Sequence, residues 1–426
     1  MTLRLQTALE ALYGLERRKD KLGLDGTRDL LRALGDPQRC FKAVHVAGTN
    51  GKGSVCAIVE RVLREAGVRT GLFTSPHLVD FRERIRAGGH WADDARLAAR
   101  LEHIQRLPEG KERTFFEVCT ALAFDDFAAR GVEWAVVEVG LGGRLDCTNV
   151  LDPEITVITS IGLDHTEILG EGLECIAAEK AGIIKPGVPL VCGVDEEPAR
   201  GVIRRIADER GAPWVDLAAI VPAEVRSGAT TFGLRPCGAL RLEREVAGVR
   251  AANTRLALAA IATLIERGVR VPCAAVAPGL RAARWPGRFE RCPGEPRLWW
   301  DGAHNADGAR ALGALCEEAR LGPSTLVLAI SRDKDAAGIL RALAPAVPTR
   351  RVIATRSRSE RAMAPGELAS IAHAAGWRDA TAPDVASACR AALELATVEA
   401  PALLAGSLFA VGEAMEAFGG APGEWL

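Results

Sequence analysis

Short runs of β-branched and other apolar residues alternate along this chain with amphipathic stretches of about ten to eighteen residues. The runs predict strands near 42–47, 70–74, 133–139, 155–160 and 188–192, with helices near 53–66, 115–130, 172–181 and 197–210. Such alternation predicts parallel strands covered by helices on both faces, with ligands gathering at the C-terminal strand ends. Between 213 and 246 the pattern becomes strand-like with turns at Ser227-Gly228 and Pro236-Cys237-Gly238, and an alanine-rich helix near 251–267 follows. A small antiparallel appendage is the simplest account. Proline and glycine crowd Trp285-Pro286-Gly287-Arg288 through Cys292-Pro293-Gly294-Glu295-Pro296, and a new βα series begins at Arg297–Asp301. It continues with strands near 324–330, 350–354 and 401–405 and helices near 306–319, 335–343, 365–375, 383–396 and 409–418. The expected fold class is therefore α/β. A P-loop-type, mainly parallel sheet domain with its appendage spans 1–287, a linker 288–296, and a smaller Rossmann-like α/β domain 297–426.

Composition removes several classes. The 426 residues carry 54 Lys and Arg against 55 Asp and Glu, so no global field recruits nucleic acid or an anionic membrane, and any anion must be gripped locally. Eleven cysteines (Cys40, Cys56, Cys119, Cys147, Cys175, Cys192, Cys237, Cys273, Cys292, Cys316, Cys389) are odd in number, dispersed and never spaced Cys-x-x-Cys. They read as reduced interior residues of a cytoplasmic protein, favouring neither a zinc site nor a disulfide framework. Met1–Asp20 resembles neither a signal peptide nor a membrane span, and a monomer is expected.

The chemistry starts at Val44-His45-Val46-Ala47-Gly48-Thr49-Asn50-Gly51-Lys52-Gly53-Ser54, where an apolar strand enters a glycine-rich turn that opens a helix. Gly48, Gly51 and Gly53 let backbone N–H groups converge, Lys52 adds a cation, Ser54 offers a hydroxyl to phosphate or Mg²⁺, and the helix dipole favours an anion. The spacing is short: two residues separate Gly48 from Gly51 where a standard phosphate loop has four, and Val46 stands at the usual first glycine. Glu138 closes the strand Trp134–Val139, placed to meet Mg²⁺ or simply to cap the turn Gly140-Leu141-Gly142-Gly143. His165 follows the strand Ile155–Thr159 and reads equally as a ligand or an ordinary surface histidine. Lys180 has the ordinary look of a solvated lysine at a helix end. Asp301-Gly302-Ala303-His304-Asn305 repeats the strand-edge arrangement at the start of the second domain, with Arg288 in the preceding linker; a turn with an Asx cap is the plain alternative. Asp333-Lys334-Asp335 reads most simply as a charged, solvated helix start.

Together these motifs resemble folylpolyglutamate synthase and the bifunctional dihydrofolate synthase of bacteria, within the Mur ligase superfamily. The likeness runs over nearly the whole chain: Lys21-Leu22-Gly23-Leu24-Asp25, the shortened loop Gly48–Ser54, Thr74-Ser75-Pro76-His77, Glu83-Arg84-Ile85, Thr114-Phe115-Phe116-Glu117, Glu138 through Asp146, Gly162-Leu163-Asp164-His165, Glu179–Ile183, Trp285–Arg288, Asp301–Asn305, Asp333–Asp335 and Gly406-Ser407-Leu408. The resemblance implies that Gly48, Thr49, Asn50, Gly51, Lys52, Gly53 and Ser54 bind ATP phosphates, and that Ser54, Ser75, Glu138 and His165 gather around Mg²⁺. It implies that Lys180 is carbamylated by CO₂ and so becomes an anionic oxygen ligand. By the same resemblance Asn253 reads the adenine, Arg288 and His304 approach the phosphates, Asp301 meets the ribose, and Thr114, Phe116 and Asp146 line the pterin pocket. The chain departs from the family at Ala306, where proline is usual, and at Ser331-Arg332, where small residues are commoner.

The implied reaction is ATP-dependent amide formation between a dihydropteroate or reduced-folate carboxylate and L-glutamate. Catalytic weight falls on Lys52, His165, Lys180, Arg288 and His304. Competing readings are another Mur-type amide ligase, a non-catalytic nucleotide switch, and a small-molecule kinase that would release ADP without free phosphate.

Overall fold

The computed structural model describes residues 1–17, 23–226, 229–237, 241–244 and 248–423. The motif residues Lys21 and Leu22, the turn Ser227-Gly228, and Gly238 lie outside them.

The N-terminal body is built on a seven-stranded sheet formed by β1 (Lys42–Ala47), β2 (Thr70–Phe73), β3 (Ile85–Ala87), β4 (His90–Trp91), β5 (Trp134–Glu138), β6 (Ile155–Ile158) and β7 (Leu190–Cys192). Their order is β4-β3-β2-β5-β1-β6-β7. All pairings are parallel except β2–β3 and β3–β4. This two-stranded antiparallel edge was not legible in the sequence, because the strands are only three and two residues long. β1 is central, flanked by β5 on one side and β6 on the other, so the loops after these three strands meet at one point of the sheet edge.

β1 is buried on both faces. Val44 and Val46 pack with the helices Lys52–Glu65 and Gly248–Glu266, while Ala43 joins the opposite layer with the helix Phe115–Ala129. The helix Lys52–Glu65 buries Val55, Ile58, Val59, Val62 and Leu63, the i, i+3, i+4 stripe that its sequence predicts, and Gly67 stops it at φ 81°. Each such side chain contributes about 1.5–3 kcal/mol when removed from water.

A second sheet of three antiparallel strands, β8 (Ala223–Arg226), β9 (Ala229–Gly233) and β10 (Arg241–Arg244), forms the expected appendage. Cys237 beside it is disulfide-bonded to Cys273, across a Cα–Cα distance of 5.6 Å. This corrects the expectation of uniformly reduced, interior cysteines: the fold brings together two residues 36 apart in sequence, which spacing alone does not reveal. Cys40 and Cys175 are exposed rather than interior.

The C-terminal body carries a six-stranded sheet of β11 (Glu290–Arg291), β12 (Leu298–Trp300), β13 (Thr325–Leu328), β14 (Arg351–Ala354), β15 (Arg378–Thr381) and β16 (Ala402–Ala405), in the order β11-β12-β16-β13-β14-β15. Only β11 runs antiparallel. It forms within the stretch read from sequence as linker, so those residues edge the second sheet. Helices Ala306–Glu318, Ala336–Leu343 and Pro365–Ala374 cover one face, and Val385–Leu393 with Leu408–Phe418 the other. Among the described residues no helix is long and apolar enough to cross a membrane.

Candidate active site

A cavity of about 810 Å³ opens where the two bodies face each other. Its floor is the loop Gly48–Ser54. Gly48 sits at φ 146°, where a Cβ would fall 1.9 Å from Thr159 Oγ1, and Gly51 sits at φ 88°, where a Cβ would fall 2.4 Å from Asn253 Oδ1. Neither position admits a side chain. Gly53 is required for a different reason: a Cβ there would lie 2.3 Å from the Trp285 ring, which packs against the first turn of the loop helix. Lys52 is curled over the loop, its ammonium donating to the carbonyls of Gly48 and Thr49 at 3.0 and 3.2 Å. The first-turn amides of the helix and this cation converge on one concavity, the arrangement that receives a phosphate chain.

Beside the loop stands Glu138, 4% exposed, at the end of β5. Burial pushes its pKa up, opposed by the Lys52 charge and by the Ser75 amide, which donates to Oε2 at 3.1 Å. Lys180, 5% exposed, lines the same cavity. No carboxylate of the described residues lies within 4 Å of its ammonium, and burial with the nearby Lys52 charge brings its pKa down to about 7. His165 adopts a left-handed backbone, φ 52°, and burial brings its imidazole down to about 4 despite Asp164. A divalent cation fits this donor set as an oxygen-seeking ion. Among the described residues no group of three His, Cys, Asp or Glu side chains is arranged to hold a metal, so Ser54, Ser75, Glu138 and His165 could share only an ion that takes its other ligands from a phosphate chain or from a modified Lys180.

From the other body come Arg288, Asp301 and His304, all on the cavity wall. Both Asp301 oxygens accept backbone bonds, from Phe289 and Ala303 at 2.7 Å each, and burial raises its pKa against the opposing Arg288 charge. Val249, Phe289, Trp299, Ala311, Leu312 and Leu315 give this end of the cavity an apolar lining.

The two bodies are joined by a buried polar cluster that the sequence did not announce. Asn50, in the phosphate loop, exchanges hydrogen bonds with Asn305 at 3.2 and 3.3 Å. Asn305 Nδ2 also donates to Asp164 at 3.0 Å, and His304 Nε2 lies 3.5 Å from the same carboxylate. Lys334 is ion-paired with Asp164 and lies 3.4 Å from Asp333, its side chain only 8% exposed. The reading of Asp333-Lys334-Asp335 as a charged, solvated helix start holds for Asp335, the exposed cap of the helix that begins at Ala336, and for the exposed Asp333, but not for Lys334, whose ammonium is paired with Asp164 of the other body. Burial opposes ionisation of Asp164, but His304, His165 and Lys334 outweigh it and hold the carboxyl well below the usual range. A composition-based reading had no signal for the partner, which lies 170 residues away.

Thr114, Phe116 and Asp146 do not line the main cavity. Thr114 and Glu117 form a reciprocal capping box at the helix Phe115–Ala129. The Phe116 ring lies against Gly140, where a Cβ would be 2.4 Å away, and Asp146 is folded beneath the Gly140–Gly142 wall. The remaining site residues named from sequence meet around one space.

A parallel sheet with a phosphate loop at its switch point, facing a second α/β body across a charged cleft, defines the class, and two domain models agree. The Mur ligase middle domain matches residues 46–211, and the Mur ligase glutamate ligase domain matches 287–408. A probable bifunctional folylpolyglutamate synthase/dihydropteroate synthase of Halobacterium salinarum is 36% identical over 97% of the chain; the chain spans about half, 51%, of that relative's length. Escherichia coli FolC in complex with DHPP and ADP superposes with a TM-score of 0.84 at 31% identity, covering 97% of each chain. A bifunctional folylpolyglutamate synthase/dihydrofolate synthase with Mn, AMPPNP and L-glutamate bound gives a TM-score of 0.82 at 32% identity, over 96% of this chain and 97% of that one. The chain belongs to the folylpolyglutamate synthase/dihydrofolate synthase family.

Proposed function

We propose that this protein is an ATP-dependent ligase that joins L-glutamate to the carboxylate of a dihydropteroate or reduced folate through an acyl phosphate. The observation that carries the reading is the cleft itself. A phosphate loop, a buried carboxylate and a buried lysine with no carboxylate within 4 Å among the described residues, all on one body, face Arg288, Asp301 and His304 on the other.

A carboxylate is a poor electrophile, and phosphorylation supplies both activation and a leaving group. The acid's oxygen attacks the γ-phosphorus in line, and the bond to ADP breaks. Lys52 and the loop amides stabilise the charge spread over the transferring oxygens, with Arg288 approaching from the second body. Glutamate's amine, having lost its proton, then adds to the acyl carbon, and inorganic phosphate leaves. A bound divalent cation would neutralise phosphate charge near Ser54, Ser75, Glu138 and His165. Lys180, brought near neutrality by burial, is suited to take up CO₂ as a carbamate, because the nucleophile in carbamylation is the free amine. In this scheme Asn253, whose Oδ1 lies where a Cβ on Gly51 would fall, reads the base, and Asp301 meets the ribose. Closure of the second body over the first would exclude water that would otherwise hydrolyse the acyl phosphate. In this scheme residues 1–287 hold the nucleotide and acid, and 297–426 deliver glutamate.

Phosphate release measured with dihydropteroate or tetrahydrofolate, ATP and glutamate tests the reading. Release is expected only when acid and glutamate are both present, and Lys52→Ala is expected to abolish it with the fold intact. Glutamate-independent release, or ADP formation without free phosphate, overturns it.

A further inference from the structure

His45 is fully buried on β1, on the opposite face from Val44 and Val46, and the cleft chemistry does not use it. Its Nε2 lies 2.8 Å from Thr148 Oγ1. Thr148 Oγ1 in turn donates to Asp146 Oδ1, which also accepts the Thr148 amide at 2.9 Å. The other oxygen, Oδ2, accepts the amides of Gly140 at 3.0 Å and Leu141 at 2.9 Å. Gly140, Leu141 and Gly142 form part of the cavity wall, and the Phe116 ring rests directly on Gly140.

Burial raises the Asp146 pKa, opposed by the bonds it accepts from the Thr148 hydroxyl and amide and from the Leu141 and Gly140 amides, all of which favour the charged form. With the carboxylate ionised it donates nothing, and the threonine proton points to Asp146. The hydroxyl oxygen must then receive its second bond from His45, which sets the Nε2–H tautomer and leaves Nδ1 as an acceptor with no partner among the described residues. Burial, with a smaller contribution from the Lys185 charge, brings the imidazole down to about 3, consistent with a neutral ring.

We propose that His45 is a positioning residue for the part of the cleft that receives the acid: through Thr148 it orients Asp146, and Asp146 holds the Gly140 and Leu141 amides against Phe116. The proposal rests on the ligase reading for its substrate, but the relay is a property of the fold. Asp146 thereby acts beneath the wall, with both oxygens already engaged.

Thr148→Val keeps the shape of the side chain and removes the relay's hydroxyl; Thr148→Ser restores it. With ATP and glutamate saturating, Thr148→Val is expected to raise the KM for dihydropteroate or tetrahydrofolate about tenfold while the KM for ATP moves less than about twofold, and Thr148→Ser to return the acid KM to near wild type. An unchanged acid KM, or parallel rises in acid and ATP KM, overturns the proposal, since a merely structural loss would not separate the two substrates. Nitrogen NMR of histidine-labelled protein, assigned with His45→Gln, is expected to show the Nε2–H tautomer at neutral pH. The opposite tautomer overturns the relay even if the wild type shows no ligase activity, an outcome that would remove the ligase reading separately.

Discussion

Two lysines stand at the same cleft from opposite bodies, Lys180 on its wall and Lys334 paired with the wall residue Asp164, and their surroundings differ in kind. Lys334 reaches in from the start of a C-terminal helix, and Asp164, with Asp333 close by, offsets its charge at once. Lys180 comes from the end of an N-terminal helix, buried, with no carboxylate within 4 Å among the described residues. A buried ammonium with partners is structural glue between bodies. One without partners is held near neutrality, and that makes it a nucleophile for CO₂ or a base. In sequence each is a charged residue near a helix terminus, and nothing local separates them.

The contrast breaks most readily at Lys180. Lys180→Ala is expected to lower kcat by at least about 10³-fold, with partial recovery on adding acetate or another short-chain acid, because an exogenous carboxylate replaces the carbamate oxygens. A loss that acetate does not rescue would place Lys180 in the same class as Lys334, and full activity without added acid would remove it from the reaction. Lys334→Ala should cost about 10²-fold in kcat without rescue by acetate, and a double-mutant cycle with Asp164→Asn should give a coupling of about 3 kcal/mol, since removing one partner strands a buried charge. Additive effects would show that the pair does not hold the bodies together.

Gly53→Ala sharpens the comparison on the N-terminal side alone. Trp285 would have to leave its seat on the loop helix, so the KM for ATP should rise about tenfold and stability fall by about 1–3 kcal/mol. Wild-type nucleotide affinity would show that the ring has somewhere else to go.

The smallest effect is in pH dependence. The His45 pKa is depressed from 6.5 to about 3 by burial, so the unfolded chain binds a proton that the folded chain does not. That contribution to stability is complete above about pH 6.5 and is lost as the pH falls toward about 3. Urea midpoints should therefore decline with acidification over that window, and His45→Gln should flatten the decline. An identical slope in the variant would mean that other groups carry it.

Much of this molecule was legible before any coordinates. The loop glycines, Glu138, His165, Asp301 and His304 follow strands that periodicity locates within about two residues, Asn253 and Arg288 were reached through the family resemblance, and all of them line one cavity. The antiparallel edge β3–β4 was not, because two- and three-residue strands carry no period, and β11 formed inside a stretch that proline and glycine marked as linker. The Cys237–Cys273 bond was missed for a related reason: dispersed cysteines say nothing about which two will meet.

What the sequence determined by itself is the local geometry: where strands stop, where a glycine must stand, and which residue types wait at the sheet edge. These follow from backbone sterics and from burial at periods of 2 and 3.6 residues. Only the tertiary structure decided which charges would be partnered. The field at Lys180, the Asp164 cluster and the His45 relay each depend on groups far apart in the chain, and a side chain's chemistry is set by the dielectric and the partners around it rather than by its neighbours in sequence.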